Sequence, residues 1–531
     1  MKALHTTTIY QLDKITPAWD RDGEIPDGLS LMNAAVIGIA DFVANKISAK
    51  DTGRDIISCF GAGNNGFDAL WSAWILSQSG FNVDFFAVAE RDKYPKAMQD
   101  FLNYLDAKGI SVYYADECGD CWNARRHVSF PKNPIILDGI LGIGFNPSRS
   151  LSTGTAKAID WINSWQGKAQ IIAIDIPSGL PANVAGSDYK EFVQNHEAKV
   201  VHASTTLTMG CPKLVMQEPS VAEFCGNVYT IDLGYSEEVL SRGCDCEIDF
   251  VTEAAIKPFS IAGLPWNAHK GSLGHIGVIA GSGKYSGAAG LACIGALRGG
   301  AGLCTCYTLP CCAMRVGAIA PEIILQAVAP ENALEWEPEF IQGLLPELVG
   351  KVVVCGPGMG NTLAVAECVK LLLASECKGL VLDADALNAI SNQPGILRTA
   401  GCPTIITPHP GEVARLLNCS VADVEKDRCS AAKRLHEITG AVVILKGART
   451  LICGERLQML LNGNQGMATG GGMGDVLAGL CAAFLARVNG DAEVAAGAAA
   501  WVHAYAGDLI HWRQPNAPIR ASELADFIWK I

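Results

Sequence analysis

Short apolar runs, each followed by glycine, proline or a polar residue, recur along this chain and alternate with helix-like stretches. Such runs predict buried strands of parallel sheets, because parallel strands are joined by helical crossovers and are covered on both faces. The first half contains RDIISCF, NVDFFAVAE, PIILDGI and AQIIAIDIPSG. The second half restarts the series with GHIGVIAGSG, GLCTCYT, KVVVCGPG, GLVLDAD, PTIITPHPG and AVVILKG. The sequence therefore predicts an α/β protein with two sheets, each with its own row of strand ends.

The two series are separated by a charged, aperiodic stretch around residues 232–259. A chain of 531 residues is also too long for a single typical core. We predict a first domain over residues 1–235, a linker over 236–258 and a second domain over 259–531.

Charge and composition exclude several classes of protein. The net charge is -13 and no basic tract is present, so a nucleic-acid partner is not expected. No apolar run is long enough to cross a bilayer and the first residues turn polar early, so we expect a cytoplasmic protein without a membrane partner. The 20 cysteines are diluted along the chain, which favours reduced thiols. The pairs Cys118/Cys121 and Cys244/Cys246 lack a second pair at metal-ligand spacing.

A glycine-rich loop, GAGNNG at residues 61–66, follows the first predicted strand and opens a helix. With Glu90 after the next strand, it matches the dinucleotide-binding pattern and leaves an oxidoreductase open. However, two amides, Asn64 and Asn65, occupy the tip of the loop, and Asp68 is expected in the first helical turn. Asp68 is either a helix cap or a ligand for a sugar or cation.

Two more acids end strands of the first half: Asp138 ends PIILD and Asp175 ends IIAID. We expect Asp68, Asp138 and Asp175 on one rim, because the carboxyl ends of parallel strands meet at one edge of the sheet. Grouped carboxylates near a polar ligand suit proton transfer or cation coordination.

In the second half, ATGGGMGDVLAG places Asp475 where a glycine run becomes a helix. Free N–H groups at a helix start bind anions, and an acid beside them would repel a phosphate unless it has a task. Accepting the proton of an attacking hydroxyl in phosphoryl transfer is such a task. The alternative is an ordinary helix cap.

Several companions favour the catalytic interpretation of Asp475. Lys446 and Gly447 end AVVILKG, and Lys446 could meet a phosphate as a point charge. The other polar residues at strand ends of this half are His409, Glu412, Asp383 and Asp385. The P-loop pattern GxxxxGK[ST] is absent, so this chemistry does not come from a P-loop fold.

The ordered motifs carry a family resemblance. GSGKYSGAAG, CGPGMG, LDADALN, TPHPGE, LKG and MATGGGMGDVLAG resemble the ribokinase-like NAD(P)H-hydrate dehydratases. GAGNNGFD, LDGILGIG and DIPSG are similar to the NAD(P)H-hydrate epimerases. The fused order resembles the bifunctional NAD(P)H-hydrate repair enzymes. The resemblance implies two three-layer α/β/α domains, Rossmann-like at the amino terminus and ribokinase-like at the carboxyl terminus.

The resemblance also implies two activities. The first domain would interconvert the R and S epimers of hydrated NADH and NADPH with a bound K⁺. The second would dehydrate the S epimer with ADP or ATP and Mg²⁺, through phosphorylation of the hydrate hydroxyl, releasing AMP and phosphate when ADP is used. These folds commonly assemble, so we expect a homo-oligomer.

The site residues implied by the resemblance follow the motifs. In the first domain the hydrate site would be lined by Asn64, Asn65, Gly66, Phe67, Asp68, Gly142, Ile143, Gly144, Phe145, Asn146, Pro147, Ser148 and Asp175, and K⁺ would be held by Asn65, Asp138 and Ser178. In the second domain the hydrate would meet Ala288, Gly358, His409 and Asp475, and the adenine nucleotide would meet Lys446, Gly447, Ala448, Arg449, Thr450 and Gly474. The expected catalytic residues are Asp475 and Asp175.

The sequence departs from the family pattern at three places. Phe67 and Ala69 replace glycines of the first loop, the segment Leu31–Ala35 reads LMNAA without the usual glutamate, and three glycines precede Met473. Two alternatives therefore stay open: a ribokinase-like small-molecule kinase, and a non-catalytic nucleotide-binding first domain, which Phe67 favours.

Overall fold

The structure, a computed structural model, describes residues 29–47, 55–114, 133–183, 199–235, 248–260, 264, 266–514, 517–528 and 530–531. The Cys118/Cys121 and Cys244/Cys246 pairs lie outside these residues. The chain divides into two units. The first comprises Met1–Glu247 and His511–Asn516, and the second comprises Ile248–Ile510 and Ala517–Ile531.

In the described part of the first unit, seven parallel strands form one sheet. The strands are β1 Asp55–Phe60, β2 Asn82–Ala87, β3 Val112–Tyr114, β4 Ile135–Gly139, β5 Gln170–Ile174, β6 Thr205–Met209 and β7 Asn227–Ile231. The helices are α1 Leu29–Phe42, α2 Asn64–Gln78, α3 Lys96–Ala107, α4 Thr153–Asn163 and α5 Ala222–Cys225. The order β3-β2-β1-β4-β5-β6-β7 reverses between β1 and β4, which is where ligands bind in open α/β sheets.

The described part of the second unit contains a ten-stranded sheet. Its strands are β8 Ile248–Phe250, β9 His275–Ile279, β10 Leu303–Thr308, β11 Ile323–Ala327, β12 Val352–Cys355, β13 Gly379–Leu382, β14 Thr404–Ile406, β15 Val442–Leu445, β16 Leu451–Cys453 and β17 Leu457–Met459. The order is β11-β10-β9-β12-β13-β14-β15-β16-β17-β8. Only the β15–β16 and β16–β17 pairs in this sheet are antiparallel.

The described α-helices of the second unit are numbered α6 to α16. They are α6 Ser286–Arg298, α7 Pro310–Gly317, α8 Pro338–Leu348, α9 Leu363–Leu373, α10 Asp385–Ala389, α11 Pro410–Leu417, α12 Val421–Lys426, α13 Arg428–Thr439, α14 Met473–Arg487, α15 Ala492–Arg513 and α16 Ala521–Ile528. The last three residues of α15 belong to the first unit. The central strands β12 to β15 are buried along their whole length, as expected for parallel strands covered on both faces. The prediction of an α/β protein with two sheets is confirmed.

The end of the predicted linker is structured. Residues Ile248–Phe250 form β8 and pair in parallel with Leu457–Met459 of β17. A three-residue strand is too short to show a period in sequence, so this pairing was not predicted. The structure assigns these residues to the second unit.

Candidate functional sites

The loop between β1 and α2 brings backbone against backbone in the first unit. A Cβ on Gly66 would lie 1.9 Å from the carbonyl oxygen of Gly61, and a Cβ on Gly61 would lie 2.0 Å from that of Ile140. Only glycine permits such approaches. The loop thereby brings the start of α2 against the end of β4.

Asn65, Asp138 and Ser178 are joined at this point. The Ser178 hydroxyl donates to Asp138 Oδ1 at 2.6 Å, and the Ser178 N–H donates to Asp138 Oδ2 at 2.8 Å. The Leu141 N–H donates to Ser178 Oγ at 2.8 Å, and Asn65 Nδ2 donates to the Leu141 carbonyl at 2.8 Å. The structure therefore unites the three residues predicted to hold K⁺.

The donor set of this cluster fits a cation. Asn65 Oδ1 is buried without a hydrogen-bond partner among the described residues. Asp138 is fully buried, and burial raises the pKa of its carboxyl to about 6, against the lowering effect of its bonds from Ser178 and Ile140. A buried amide oxygen without a partner in the described ranges, beside a buried carboxyl group, is an arrangement that a bound cation would stabilise.

Asp68 does not cap helix α2, which leaves its predicted role as a ligand, and Phe67 packs among aromatic side chains. Helix α2 begins at Asn64, so Asp68 lies in the second turn and does not cap the helix, whose N-cap is Gly63. The ring of Phe67 lies 5.5 Å from that of Trp71 and 6.0 Å from that of Phe101 on α3. Phe67 thus joins an aromatic cluster between α2 and α3.

Asp175 follows β5 in a left-handed conformation, with φ of 64°. Its Oδ1 accepts from the Met209 N–H at 3.0 Å and forms an ion pair with Lys213 Nζ. These partners belong to β6 and the loop after it, so Asp175 is tied to that side of the rim. Lys213 was missed by the sequence analysis. The one available signal was a lone lysine in the apolar segment MGCPKLVM.

The predicted substrate loop Gly142–Ser148 follows β4. A Cβ on Gly142 would lie 2.9 Å from the Cβ of Asn65, so the loop starts against the cluster of Asn65, Asp138 and Ser178. Further along, the Ser148 N–H donates to Asn146 Oδ1 at 2.9 Å. Most of the loop is partly or fully exposed, which leaves it open to a ligand.

In the second unit, Asp475 lies in the first turn of α14, and the N-cap is Gly472 with φ of 91°. The three glycines therefore end before the helix, and the alternative that Asp475 is the cap is wrong. The helix has 15 residues, long enough for its first N–H groups to attract an anion.

A buried ion pair lies beside this helix start. Lys446 Nζ donates to Asp383 Oδ1 at 2.9 Å, and the Thr407 hydroxyl donates to the same oxygen at 2.7 Å. A Cβ on Gly474 would lie 3.0 Å from Lys446 Nζ and 3.4 Å from Asp383 Oδ2. The absence of a side chain at Gly474 therefore brings the lysine against the main chain of α14.

The pKa values of two carboxyl groups in this site are raised to near neutral pH. Burial, and secondarily the charge of Asp383, raise the pKa of Asp475 to about 7. Burial likewise raises the pKa of Glu412 to about 7. Burial acts to lower the pKa of Lys446, but Asp383 and Glu412 outweigh it and raise that pKa above its ordinary value. The site thus places the positively charged Lys446 next to Asp475, a carboxyl whose raised pKa suits proton exchange near neutral pH.

His409 is the N-cap of α11. Its Nδ1 accepts from the Gly411 N–H at 3.0 Å, and its Nε2 lies 3.5 Å from Glu412 Oε1. Burial lowers the pKa of His409, and the charge of Lys446 lowers it further, which favours the neutral ring. His409 is therefore a cap. Its half-exposed side chain also lies within electrostatic range of Lys446.

Ala288 and Gly358 meet although 70 positions separate them in sequence. A Cβ on Gly358 would lie 3.0 Å from the Cβ of Ala288, and Gly358 has φ of 64°. The Gly360 N–H donates to Asp385 Oδ2 at 2.8 Å, which ties this glycine loop to the end of β13. The structure thus brings together two residues predicted to meet the hydrate.

The predicted nucleotide segment, Lys446–Thr450, forms the turn after β15. Gly447 has φ of 140°, and a Cβ there would lie 2.9 Å from the guanidinium of the buried Arg428. Arg428 also donates to the Lys446 carbonyl at 3.2 Å. Arg449 is buried and its guanidinium donates to the Leu461 carbonyl at 2.7 Å, so the guanidinium does not line the turn surface.

Both halves of the chain match known family models. Residues 28–215 match the YjeF-related protein N-terminus, and residues 276–529 match NAD(P)H-hydrate dehydratase. A bifunctional NAD(P)H-hydrate repair enzyme of Moorella thermoacetica is 30% identical over 526 residues, which cover 98% of this chain and 94% of that relative. The chain belongs to the family of bifunctional NAD(P)H-hydrate repair enzymes. The predicted family is therefore confirmed.

Other members of the repair-enzyme family are similarly related. The Coxiella burnetii enzyme is 31% identical over 463 residues, covering 86% of this chain and 85% of its own, and the Escherichia coli enzyme is 28% identical over 544 residues, covering 99% and 94%. Among solved structures, an ADP/ATP-dependent NAD(P)H-hydrate dehydratase from Bacillus subtilis, co-crystallised with ATP and Mg²⁺, is 26% identical with a TM-score of 0.45, covering 53% of this chain and 98% of its own. A ribokinase-like protein from Enterococcus faecalis is 25% identical with a TM-score of 0.46, covering 54% and 95%.

The described residues contain neither a membrane-spanning helix nor a cluster of three metal-ligating His, Cys, Asp or Glu side chains. None of their helices combines the length and apolarity needed to cross a bilayer. No group of three or more His, Cys, Asp or Glu residues in the described ranges has the geometry of a metal site. The cysteines in these ranges are free thiols and most are buried, as predicted.

Proposed function

We propose that this protein repairs hydrated NADH and NADPH. Residues 1–235 would form the epimerase domain, which interconverts the R and S hydrates, and residues 259–531 the dehydratase domain, which converts the S hydrate to NAD(P)H with ADP or ATP. Relatives named bifunctional NAD(P)H-hydrate repair enzymes match nearly the whole chain. The observation that carries the proposal is Asp475, a carboxyl with a pKa of about 7 placed beside Lys446 at a glycine-rich helix start.

Asp475 would accept the proton of the hydrate hydroxyl while that oxygen attacks the terminal phosphorus of ADP or ATP. The bond to the remaining nucleotide breaks, giving AMP from ADP, and the hydrate carries a phosphate ester. Phosphate then leaves with its C–O bonding electrons, and loss of a proton from the neighbouring carbon restores the double bond. The base has the pKa of an efficient proton acceptor near neutral pH.

The nucleotide would lie on the turn Lys446–Thr450 and Gly474. Lys446 and the first N–H groups of α14 would stabilise the charge on the moving phosphoryl group. Asp383 holds the lysine in place through the 2.9 Å ion pair. Ala288, Gly358 and His409 would contact the hydrate. Mg²⁺ would enter with the phosphates, whose charge it neutralises.

In the first domain, Asn64–Asp68 and Gly142–Ser148 would line the hydrate site. Inversion at the hydrated carbon requires a bond there to break and re-form on the other face, so a group must exchange a proton with the hydroxyl. We assign that exchange to Asp175. Asn65, Asp138 and Ser178 would hold K⁺, a choice that the unpartnered Asn65 Oδ1 supports, and the ion would fix the loop that receives the substrate.

A homo-oligomeric state, a cytoplasmic location and the absence of nucleic-acid and membrane partners stay predictions from the sequence. ADP and ATP both fit the proposal.

The test supplies the purified protein with separated S and R hydrates of NADH, with ADP or ATP, Mg²⁺ and K⁺, and follows formation of NADH by its absorbance. We expect S hydrate to react directly, with phosphate released, and R hydrate to react after epimerisation. A stable phosphorylated alcohol without NADH would instead identify a small-molecule kinase. Binding of R hydrate without turnover would identify a non-catalytic first domain.

A further inference from the structure

A completely buried lysine contacts the proposed proton-exchanging acid of the first domain. Lys213 is 1% exposed. Its Nζ donates to Thr208 Oγ1 at 2.9 Å and to the carbonyl oxygens of Met209 and Cys211, each at 3.1 Å, and it forms an ion pair with Asp175 Oδ1. Four oxygens therefore surround an ammonium that has three N–H bonds, and Asp175 is the one carboxylate among them.

The same contacts fix the orientation of Asp175. Its carboxylate contacts in the described residues all use Oδ1: the Met209 N–H at 3.0 Å, the Thr208 hydroxyl at 3.5 Å and Lys213 Nζ. Its main-chain N–H donates to the Leu207 carbonyl at 2.7 Å. With φ at 64° the backbone is held in a conformation that side-chain-bearing residues rarely adopt. Among the described residues Oδ2 has no hydrogen bond, and the Asp175 side chain is 12% exposed.

We propose that Lys213 is a positioning residue for epimerisation, which holds Asp175 through Oδ1 so that Oδ2 faces the hydrate. This inference rests on the proposed function of the first domain. A buried ion pair is weak as a stabilising device, because desolvation of both charges offsets their attraction. The ion pair lies at Asp175, which has a strained backbone and stands on the rim of strand ends. Orientation of the Asp175 carboxylate explains why the pair is there.

The test compares Lys213→Met with Lys213→Arg and wild type in the full chain, with R hydrate as substrate. We expect Lys213→Met to lower kcat for epimerisation about 100-fold, with KM changed less than about threefold, since a general acid or base contributes about this much. Lys213→Arg should recover part of the loss. Dehydration of S hydrate, which uses the second domain, should stay at the wild-type rate and serves as the internal control.

Two further measurements keep the inference testable if Lys213→Met fails to fold. Thr208→Val removes one hydrogen bond of Lys213 and one of Asp175, and it should lower kcat for epimerisation about fivefold. Methylammonium added to Lys213→Ala should restore part of the activity. Wild-type kcat in Lys213→Met or in a folded Thr208→Val variant would overturn the inference. Failure of the wild type itself to interconvert the hydrates would overturn the proposed function instead.

An independent observation concerns two thiols of the second unit. Cys377 Sγ and Cys402 Sγ lie 3.4 Å apart, just before the neighbouring strands β13 and β14. Cys377 is buried and Cys402 partly exposed. A hydrogen bond from the Cys402 thiol lowers the pKa of Cys377 to about 7, which favours its thiolate form.

We infer that Cys377 and Cys402 form an oxidisable dithiol. With hydrogen peroxide as oxidant, the Cys377 thiolate attacks a peroxide oxygen and releases hydroxide, which gives a sulfenic acid. The Cys402 thiol then attacks that sulfur, its proton leaves with the hydroxyl as water, and the disulfide forms. The sulfurs must approach by about 1.4 Å to reach bonding distance, which side-chain rotation can supply.

Peptide mapping of the full-length protein after peroxide and alkylation tests this inference. We expect a linked Cys377–Cys402 peptide that disappears on reduction and in Cys402→Ser, where Cys377 should instead react with a sulfenic-acid probe. The adjacent thiols Cys311 and Cys312, 3.8 Å apart, provide an internal comparison and should stay alkylatable. Recovery of Cys377 and Cys402 as free thiols in the same yield as Cys311 and Cys312 at every peroxide concentration would overturn it.

Discussion

Lys446 Nζ lies 2.9 Å from Asp383 Oδ1, and Asp383 is 1% exposed while the lysine side chain is 23% exposed. The pair joins the carboxyl end of β13 to that of β15, two strands separated by β14. Lys446 is thereby fixed against the start of α14, where the phosphoryl group is proposed to move.

Removal of the Lys446 charge should lower both the stability of the second unit and its dehydratase activity. Lys446→Met leaves the buried Asp383 carboxylate unpaired, and we expect a loss of about 3 kcal/mol in the free energy of unfolding of the second unit. The double variant Lys446→Met, Asp383→Asn should recover most of that loss but none of the dehydratase activity. Urea unfolding and S-hydrate turnover measure the two effects. A double variant as unstable as Lys446→Met would show that the ion pair is not the cause.

Asp475→Asn should abolish dehydration. An amide cannot accept the proton of the hydroxyl, so we expect the rate to fall at least about 1,000-fold. The matched control is Asp423→Asn, which changes an acid in the first turn of another helix, α12, and should leave the rate unchanged. Epimerisation by the first domain should persist in both variants. Substantial S-hydrate turnover in Asp475→Asn would rule out the assigned role.

The pH dependence of dehydration should follow Asp475. The carboxyl must be ionised to accept a proton, and its raised pKa is about 7. We therefore expect kcat/KM for S hydrate to be full above this value and to fall tenfold per pH unit well below it. Glu412, whose pKa is also about 7, is the other group that would cause such a fall in kcat/KM. The fall should persist in Glu412→Gln, and its disappearance there would assign the titration to Glu412.

Asn65→Leu should remove the response to K⁺. Oδ1 of Asn65 has no hydrogen-bond partner in the described part of the chain, and the ion would satisfy it. In wild type, KCl should raise the Tm of the first unit by about 2–4 °C over tetramethylammonium chloride at equal ionic strength. The variant should show no such difference, whereas Asn103→Leu, at an exposed position on α3, should respond like wild type. An equal K⁺ response in Asn65→Leu would place the ion elsewhere.

Gly66→Ala should destabilise the first unit. The added Cβ would lie 1.9 Å from the Gly61 carbonyl oxygen, so the loop must move. We expect a loss of about 3 kcal/mol in the free energy of unfolding, with loss of epimerisation. Gly63→Ala, whose Cβ would meet nothing within 4 Å, should cost less than about 1 kcal/mol. Equal effects of the two substitutions would contradict the close-approach argument.

The sequence by itself determined the α/β class, the two series of strands and the motifs at their ends, because apolar period and glycine punctuation are local properties. It also supplied Asn65, Asp138 and Ser178 as one predicted set, through family resemblance. Only the tertiary structure decided what these residues contact. Lys213, in the loop after β6, contacts Asp175 after the neighbouring strand β5, and β8 pairs with residues about 200 positions away. The raised pKa of Asp475 likewise arises from burial and from Asp383, 92 positions earlier. Such effects depend on distances in space that sequence spacing does not encode.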